Sequence, residues 1–374
     1  MKRLRVALVH EWLEGYAGSE RVLEQLLDMY PEADLCATVD FVPEGQRGFL
    51  RGKVPRTTFI QKLPFARKRF RAYIGLMPLA IEQHDLSSYD LVISVNHALS
   101  KGVLTGPDTL HVSYICSPIR YAWDLQHQYL RQAGLERGVR GAYARWQLSK
   151  LRQWDVRTAN GVDLFVSLSA YISRRIRKCY RRDSVLVPPP VDVERFELRE
   201  EKQDFYVLAS RMVPYKRMDL VAAAFADMPE RKLVIVGDGP ERENVVRAAR
   251  GAANISFVGA VATDRLVELM QQARAFIFAA EEDFGIMMVE AQACGTPVIA
   301  FGRGGALDIV GTNPPTGLFF EDQTSASVAD AVRRFESMAV APAACRENAL
   351  RFSGEKFRAR MGAVIAEALA GRDG

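Results

Sequence analysis

Residues 281–300 read EEDFGIMMVEAQACGTPVIA. An acidic loop ends at Phe284 and Gly285, an apolar helix is expected from about 286 to 294, and Gly295-Thr296-Pro297 stops it before a strand over 298–301. The stop has a physical cause: glycine accepts the left-handed helix-end conformation and proline cannot continue a helix. A helix start leaves backbone N–H groups without intrahelical partners, and such groups can hold an anion. Gly285 has no side chain, so a ligand can approach the backbone there. Glu282 lies before the helix and Glu290 inside it, which gives one loop–helix unit two carboxylates flanking a set of amides. Two glutamates alone would fit an ordinary solvated face.

Outward from this stretch the second half of the chain alternates strand and helix. Strands are expected at 206–209, 233–236, 255–258, 275–278 and 298–301, with helices such as 216–225 and 241–249 between them. That order gives parallel strands with crossover helices. Ser210-Arg211-Met212-Val213-Pro214-Tyr215-Lys216 follows the first of these strands, and Gly304-Gly305-Ala306 opens a further loop. The first half repeats the plan. A strand at 4–10 leads through a loop into a helix at 20–30, and strands at 90–95 and 111–115 lead into NHALSKG and CSPIRYAWD. Loops after parallel strands are where open α/β sheets put ligands. Residues 130–159 are expected as one or two helices, 162–167 and 185–187 as strands, 169–180 as a helix, and 336–370 as helical. Three prolines at 188–190 cannot join sheet or helix and form a stiff connector.

The chain has 374 residues, a length that suits two domains; 48% hydrophobic and 25% charged residues describe a globular protein. A net charge of +5 does not imply a nucleic-acid partner. Five scattered cysteines without a CxxC pair read as reduced thiols, not as a disulfide frame or zinc site. MKRLRVALVHEW turns charged too early for a signal peptide, and no apolar run reaches the roughly eighteen residues of a spanning helix. The expected location is therefore cytoplasmic, with any membrane contact peripheral. Residues 62–77 mix Lys62, Arg67, Lys68, Arg69 and Arg71 with Leu63, Phe65, Phe70, Tyr73, Ile74, Leu76 and Met77. This composition fits either an anionic membrane surface or a helix face packed on its own domain.

E-D-F-G-I-x-x-x-E-A-x-A-C-G-x-P-V-I-A resembles the donor-site signature of retaining glycosyltransferases of family 4, with Asp283 where the family has glycine. Arg211 and Lys216 match the family's G-R-x-x-x-x-K, and Ala17-Gly18-Ser19-Glu20-Arg21 resembles its first loop, G-G-A-E-R. His97 in NHALSKG, together with Arg120 and Tyr121 in CSPIRYAWD, resembles the bacterial branch that transfers mannose from GDP-mannose. Cys116 stands where that branch has histidine, and no role is carried over to it. The resemblance implies an α/β protein of the GT-B class, two Rossmann-like domains with parallel sheets facing a cleft. It divides the chain into an acceptor-binding domain (1–187), a linker (188–201), a nucleotide-sugar-binding domain (202–355) and a helical tail (356–374) that crosses back onto the first domain.

The implied site places Arg211 and Lys216 on the donor diphosphate, Glu282 on the hexose and Glu290 on the ribose. Phe284, Gly285 and Ile286 lie along the donor, and Phe257, Val258 and Gly259 pass the base. Gly18, Ser19, Arg120 and Tyr121 line the acceptor or phosphate side, with His97 among the catalytic groups. The expected activity is transfer of a hexose, mannose from GDP-mannose, to a lipid-diphosphate-linked saccharide in exopolysaccharide or lipopolysaccharide assembly, at the inner face of the membrane. Asp90 and Asp308 belong to no D-x-D pair, so no metal and no cofactor are expected. The resemblance tips residues 62–77 towards an anionic membrane surface. A non-hydrolysing sugar-nucleotide epimerase and a catalytically inactive sugar-nucleotide binder are the alternatives.

Overall fold

A computed structural model describes residues 4–372. The chain divides into two compact units, one running to Pro190 and resuming at Phe357, the other Val191–Lys356. In the first unit the strands are Val6–Leu13 (β1), Asp34–Asp40 (β2), Arg56–Thr57 (β3), Leu91–Asn96 (β4), Leu110–Ile115 (β5), Leu164–Ser167 (β6) and Val185–Leu186 (β7). They form one parallel sheet ordered β3-β2-β1-β4-β5-β6-β7. In the second unit Tyr206–Ala209 (β8), Leu233–Val236 (β9), Ile255–Gly259 (β10), Ala275–Phe278 (β11), Val298–Phe301 (β12) and Gly317–Phe320 (β13) form another, ordered β10-β9-β8-β11-β12-β13. Both are doubly wound sheets. Their direction of winding reverses between β1 and β4 and between β8 and β11, and such switch points open crevices at the strands' carboxyl ends.

The central strands β1, β4, β5, β8, β11 and β12 are almost entirely buried; β8, β11 and β12 are continuous apolar runs, whereas β1, β4 and β5 also bury polar side chains such as Glu11, Ser94 and His111. The expected strand and helix at 298–301 and 286–294 appear as β12 and Ile286–Ala293. Other elements differ. β2, β3 and β13 are absent from the sequence reading: DLCATVD shows no clean alternation, GLFF follows the proline-containing turn at 313–315, and β3 is a two-residue edge strand. The helix expected at 216–225 is a 3-10 turn, Pro214–Lys216, then a helix, Met218–Ala226, separated by Arg217 at φ 50°. Residues 130–159 hold part of Gln126–Gln132 and the whole of Gly138–Thr158. The expected helical stretch 336–370 contains two helices, Pro342–Leu350 and Gly354–Ala370, and the end of Ser325–Glu336.

Residues 191–201 pack within the second unit: Val191 bridges to Ser353, and the Arg199 N–H donates to the Cys294 carbonyl at 3.2 Å. From Phe357 onward the last helix lies in the first unit, where the Phe357 ring sits 5.8 Å from Tyr114 and Arg358 donates to Gln25. Over residues 62–77 the chain makes short turns, Ala66–Arg69 and Phe70–Tyr73. Phe70 and Met77 are core residues, whereas Phe65 (77% exposed) and Leu76 (44%) face outward. The cations Lys62, Arg67, Lys68, Arg69 and Arg71 are all exposed, and Arg71 pairs with Glu14. Among the described residues no helix is long and apolar enough to cross a membrane.

Candidate active site

In the second unit the candidate residues gather at the carboxyl ends of the strands. The β8 loop carries Arg211, exposed, and Lys216, partly buried; the β11 loop carries Glu282. The Lys216 ammonium pairs with the Glu282 carboxylate, so the two loops meet across the switch point. Lys216 also lies 5.6 Å from the centre of the Phe278 ring at the end of β11. Gly285 caps the helix Ile286–Ala293 with φ 100°, a conformation that only glycine takes freely. A Cβ there would sit 2.4 Å from the Met288 methyl. Ile286 is the first helical residue, and Glu290 lies one turn further on, 9% exposed. The Phe284 side chain is buried, its ring 5.5 Å from Phe352, so this residue offers a ligand its backbone only.

Neighbouring loops brace this set. The Gly305 N–H donates to the Glu282 carbonyl at 2.8 Å, which fixes the acidic loop from the β12 side. The Met212 N–H donates to the Asp238 carbonyl at 2.9 Å, and the Gly237 N–H to the Gly259 carbonyl at 2.8 Å. Gly237 permits that approach: a Cβ would fall 1.9 Å from the Ser210 carbonyl oxygen. The β8, β9 and β10 loops therefore form one connected rim. Phe257 packs against the core, Val258 is 40% exposed, and Gly259 ends β10 at an irregular register.

In the first unit the structure brings His97 together with the 17–21 and 116–121 loops. Gly18 and Ser19 open the helix Gly18–Met29, and Glu20 accepts the Ala17 N–H and the Ser19 hydroxyl, each at 3.1 Å. His10, fully buried on β1, sits 3.7 Å from Glu20, and its ring centre lies 6.3 Å from that of His97. The His97 ring stands edge-on to Trp12 at 4.8 Å. Burial lowers the His97 pKa to about 4; Glu20 opposes this, and Arg120 and Arg71 add to it. His97 is thus a neutral imidazole at physiological pH. Burial likewise lowers His10. Arg120 reaches the Ser117 hydroxyl at 3.4 Å, and Tyr121, its phenol raised by burial, packs beside Tyr129.

Several motif residues turn out to be scaffold. The Lys101 ammonium is fully buried and satisfied by the Asp155 carboxylate at 2.7 Å, the Asp155 carbonyl at 2.7 Å and the Thr158 hydroxyl at 2.9 Å. Trp123 donates to the same carboxylate at 2.7 Å and Tyr180 at 3.0 Å. Asp124 pairs with Arg175 at 2.6 Å, and Arg175 also reaches the Ser117 hydroxyl at 2.8 Å. NHALSKG and SPIRYAWD are therefore bound through Asp155 and Arg175 to the helices Gly138–Thr158 and Ala170–Tyr180. Two residues of the first-unit cluster, Glu11 and His10, were missed from sequence. Their signal is faint: a polar pair inside an otherwise apolar strand, HEW, where a buried strand has no use for charge.

Residues 191–352 match the family model described as glycosyl transferases group 1. The GDP-mannose-dependent alpha-(1-6)-phosphatidylinositol monomannoside mannosyltransferase of Mycobacterium tuberculosis is 34% identical over 207 residues, 47% of this chain and 53% of that protein. The enzyme of the same name from Mycolicibacterium smegmatis is 29% identical over 282 residues, 65% of this chain and 72% of that one. The match thus spans about half the length of the first of these relatives. Among solved structures, Anabaena Alr3699/HepE in complex with UDP and glucose superposes with a TM-score of 0.67, at 15% identity, over 97% of this chain and 100% of that one. Sucrose-phosphate synthase from Thermosynechococcus elongatus superposes with a TM-score of 0.69, at 18% identity, over 99% and 100%. The two parallel sheets are those of the GT-B glycosyltransferase fold. Within that class the chain resembles the GDP-mannose-dependent mannosyltransferases.

Proposed function

We propose that this chain is a retaining glycosyltransferase of family 4 that transfers mannose from GDP-mannose to a lipid-diphosphate-linked saccharide, in bacterial exopolysaccharide or lipopolysaccharide assembly. The observation that carries the reading is the Lys216–Glu282 pair at the β8/β11 switch point, next to a glycine-capped helix that bears Glu290. The GDP-mannose dependence in the names of the similar enzymes supports the donor.

In this reading Arg211 and Lys216 neutralise the donor diphosphate as GDP leaves, the electrostatic contribution that usually dominates such a step. The diphosphate draws Lys216 away from Glu282, and the freed carboxylate accepts hydrogen bonds from the hexose. Glu290 accepts from the ribose hydroxyls, the amides at Gly285 and Ile286 face the phosphates, and the backbone of 257–259 passes the guanine. Two protein cations meet the diphosphate charge, so the scheme calls for no metal. On the first unit Gly18, Ser19, Arg120 and Tyr121 serve the acceptor side. His97, uncharged, is the catalytic hydrogen-bonding group of the first unit. The C1–phosphate oxygen bond breaks to an oxocarbenium-like state. The acceptor oxygen bonds to C1 on the same face and passes its proton to the leaving phosphate oxygen.

The enzyme would work at the inner face of the membrane. The exposed cations of residues 62–77, with Phe65 and Leu76, suit anionic lipid. Tyr143 and Trp146 are exposed nearby on the helix Gly138–Thr158, whose Gln147 lies against Gly75 and bonds to Tyr143. A mass-spectrometric donor screen with polyprenyl-diphosphate-linked disaccharides tests the reading. It predicts acceptors one hexose heavier with GDP-mannose, and stronger thermal stabilisation by GDP than by UDP. Acceptor-independent epimerisation of the sugar nucleotide would favour the epimerase, and binding without turnover the inactive binder.

A further inference from the structure

The β1/β4 switch point of the first unit is bridged by a single side chain. Glu11, fully buried on β1, accepts four consecutive backbone N–H groups of the loop after β4. Its Oε1 receives those of His97 (3.0 Å), Ala98 (2.7 Å), Leu99 (2.7 Å) and Ser100 (3.1 Å), and its Oε2 receives that of Leu99 at 2.8 Å. The next amide, Lys101, donates to the Asn96 side chain at 3.1 Å, and Gly102 to the Leu99 carbonyl at 2.8 Å. Every amide from 97 to 102 is thus accounted for within the unit.

Converging amides of this kind form a nest that selects an anion. Here the chain supplies the anion itself, so the nest does not serve a substrate phosphate. Its consequence is geometric. The backbone of His97 is fastened to Glu11 and the ring of His97 stands edge-on to Trp12, so two adjacent residues of one rigid strand set both ends of the histidine. Burial holds the Glu11 carboxyl above its ordinary value, and the Ser100, Ala98, Leu99 and His97 amides offset only part of that rise.

We propose that Glu11 is a positioning residue for hexosyl transfer, acting through His97. The proposal rests on the functional reading above. A glutamine at 11 keeps one acceptor oxygen in the place of Oε1 but turns an NH2 group towards the Leu99 amide that Oε2 accepts, where donor meets donor. The loop then loosens and water reaches the imidazole.

The test is a double-mutant cycle of Glu11→Gln and His97→Ala, with turnover of GDP-mannose measured on polyprenyl-diphosphate-linked disaccharides. Glu11→Gln should lower kcat about tenfold or more when His97 is present, and less than about twofold in the His97→Ala background. The loss should fall on kcat more than on the donor KM, because the groups proposed for the base, ribose and diphosphate lie on the second unit. Equal losses in both backgrounds would overturn the proposal. If the glutamine variant does not fold, Glu11→Asp, which keeps the charge and shortens the reach, replaces it in the same cycle. A second readout needs no turnover: the imidazole 15N signals of His97 followed against pH. In Glu11→Gln the His97 pKa should rise from about 4 towards the ordinary value, and an unchanged titration contradicts the proposal. A wild-type chain inert towards GDP-mannose would sink the functional reading, while the titration still decides the role of Glu11.

Discussion

The ammonium of Lys216 rests on the carboxylate of Glu282, joining the loop after β8 to the loop after β11 at the point where the second sheet reverses its winding. Both side chains are mostly shielded from solvent, 14% and 18% exposed, so removing one partner changes the charge balance of the site and not only its surface. Lys216→Met should leave Glu282 facing the donor diphosphate with no cation between them. The expected result is at least a tenfold rise in the GDP dissociation constant, about 1.4 kcal/mol, measured by calorimetry. Unaltered GDP binding would remove Lys216 from the diphosphate site.

The membrane proposal depends on charge that the fold leaves outward. Arg67, Lys68 and Arg69 are exposed in one short turn beside Phe65, and each basic residue near an anionic surface contributes about 1 kcal/mol. Reversing all three to glutamate should release the chain from phosphatidylglycerol vesicles in a sedimentation assay without lowering its melting temperature. Retained vesicle binding would reduce this stretch to a solvated face.

Acid should destabilise the first unit through buried histidines. His111 is fully buried, in contact with the Ser94 hydroxyl at 2.9 Å and the Gly161 carbonyl at 3.1 Å, and burial lowers its pKa to about 4. Between about pH 4 and 6.5 the unfolded chain binds a proton that the folded chain refuses, so stability falls as pH falls through that window. The His111 contribution is about 3 kcal/mol over the full window. Denaturant unfolding at pH 7 and pH 5 should show the decline, and His111→Gln should flatten it. A slope unaffected by this substitution would place the acid sensitivity elsewhere.

Much of the fold was legible because its strands are buried on both faces. LVIV, AFIF and VIAF are short apolar runs closed by glycine, proline or acidic residues, and β9, β11 and β12 have the expected bounds. What escaped was of a different kind. DLCATVD has the pattern of neither a helix nor an alternating strand, and β13 follows a proline-rich turn that reads as loop. Among site residues, Glu282 and Glu290 became candidates through the family resemblance of residues 281–300, since their spacing alone fits a solvated face. The ion pair of Lys216 with Glu282 could not be read from sequence, since it joins loops distant in sequence. The same holds for Lys101: its scaffold role rests on the buried Asp155 carboxylate, on a helix far along the chain. Glu11 was hidden because the partners of its carboxylate are backbone amides, to which the side chains of a motif give no clue.

The carboxylates of residues 281–300 should divide the labour. Glu290 would hold the ribose in ground and transition states alike, so its loss should mainly raise the donor KM. Glu282 would face the hexose, where positive charge develops as the phosphate leaves, so its loss should fall on the chemical step. A charged hydrogen bond is worth roughly 1.5–3 kcal/mol, or about ten- to a hundredfold in rate. The most direct measurement is kcat and donor KM for Glu282→Gln and Glu290→Gln at saturating acceptor. The account predicts that Glu282→Gln lowers kcat by that factor with the donor KM little changed, and that Glu290→Gln raises KM more than it lowers kcat. A Glu282→Gln protein with full turnover would contradict it.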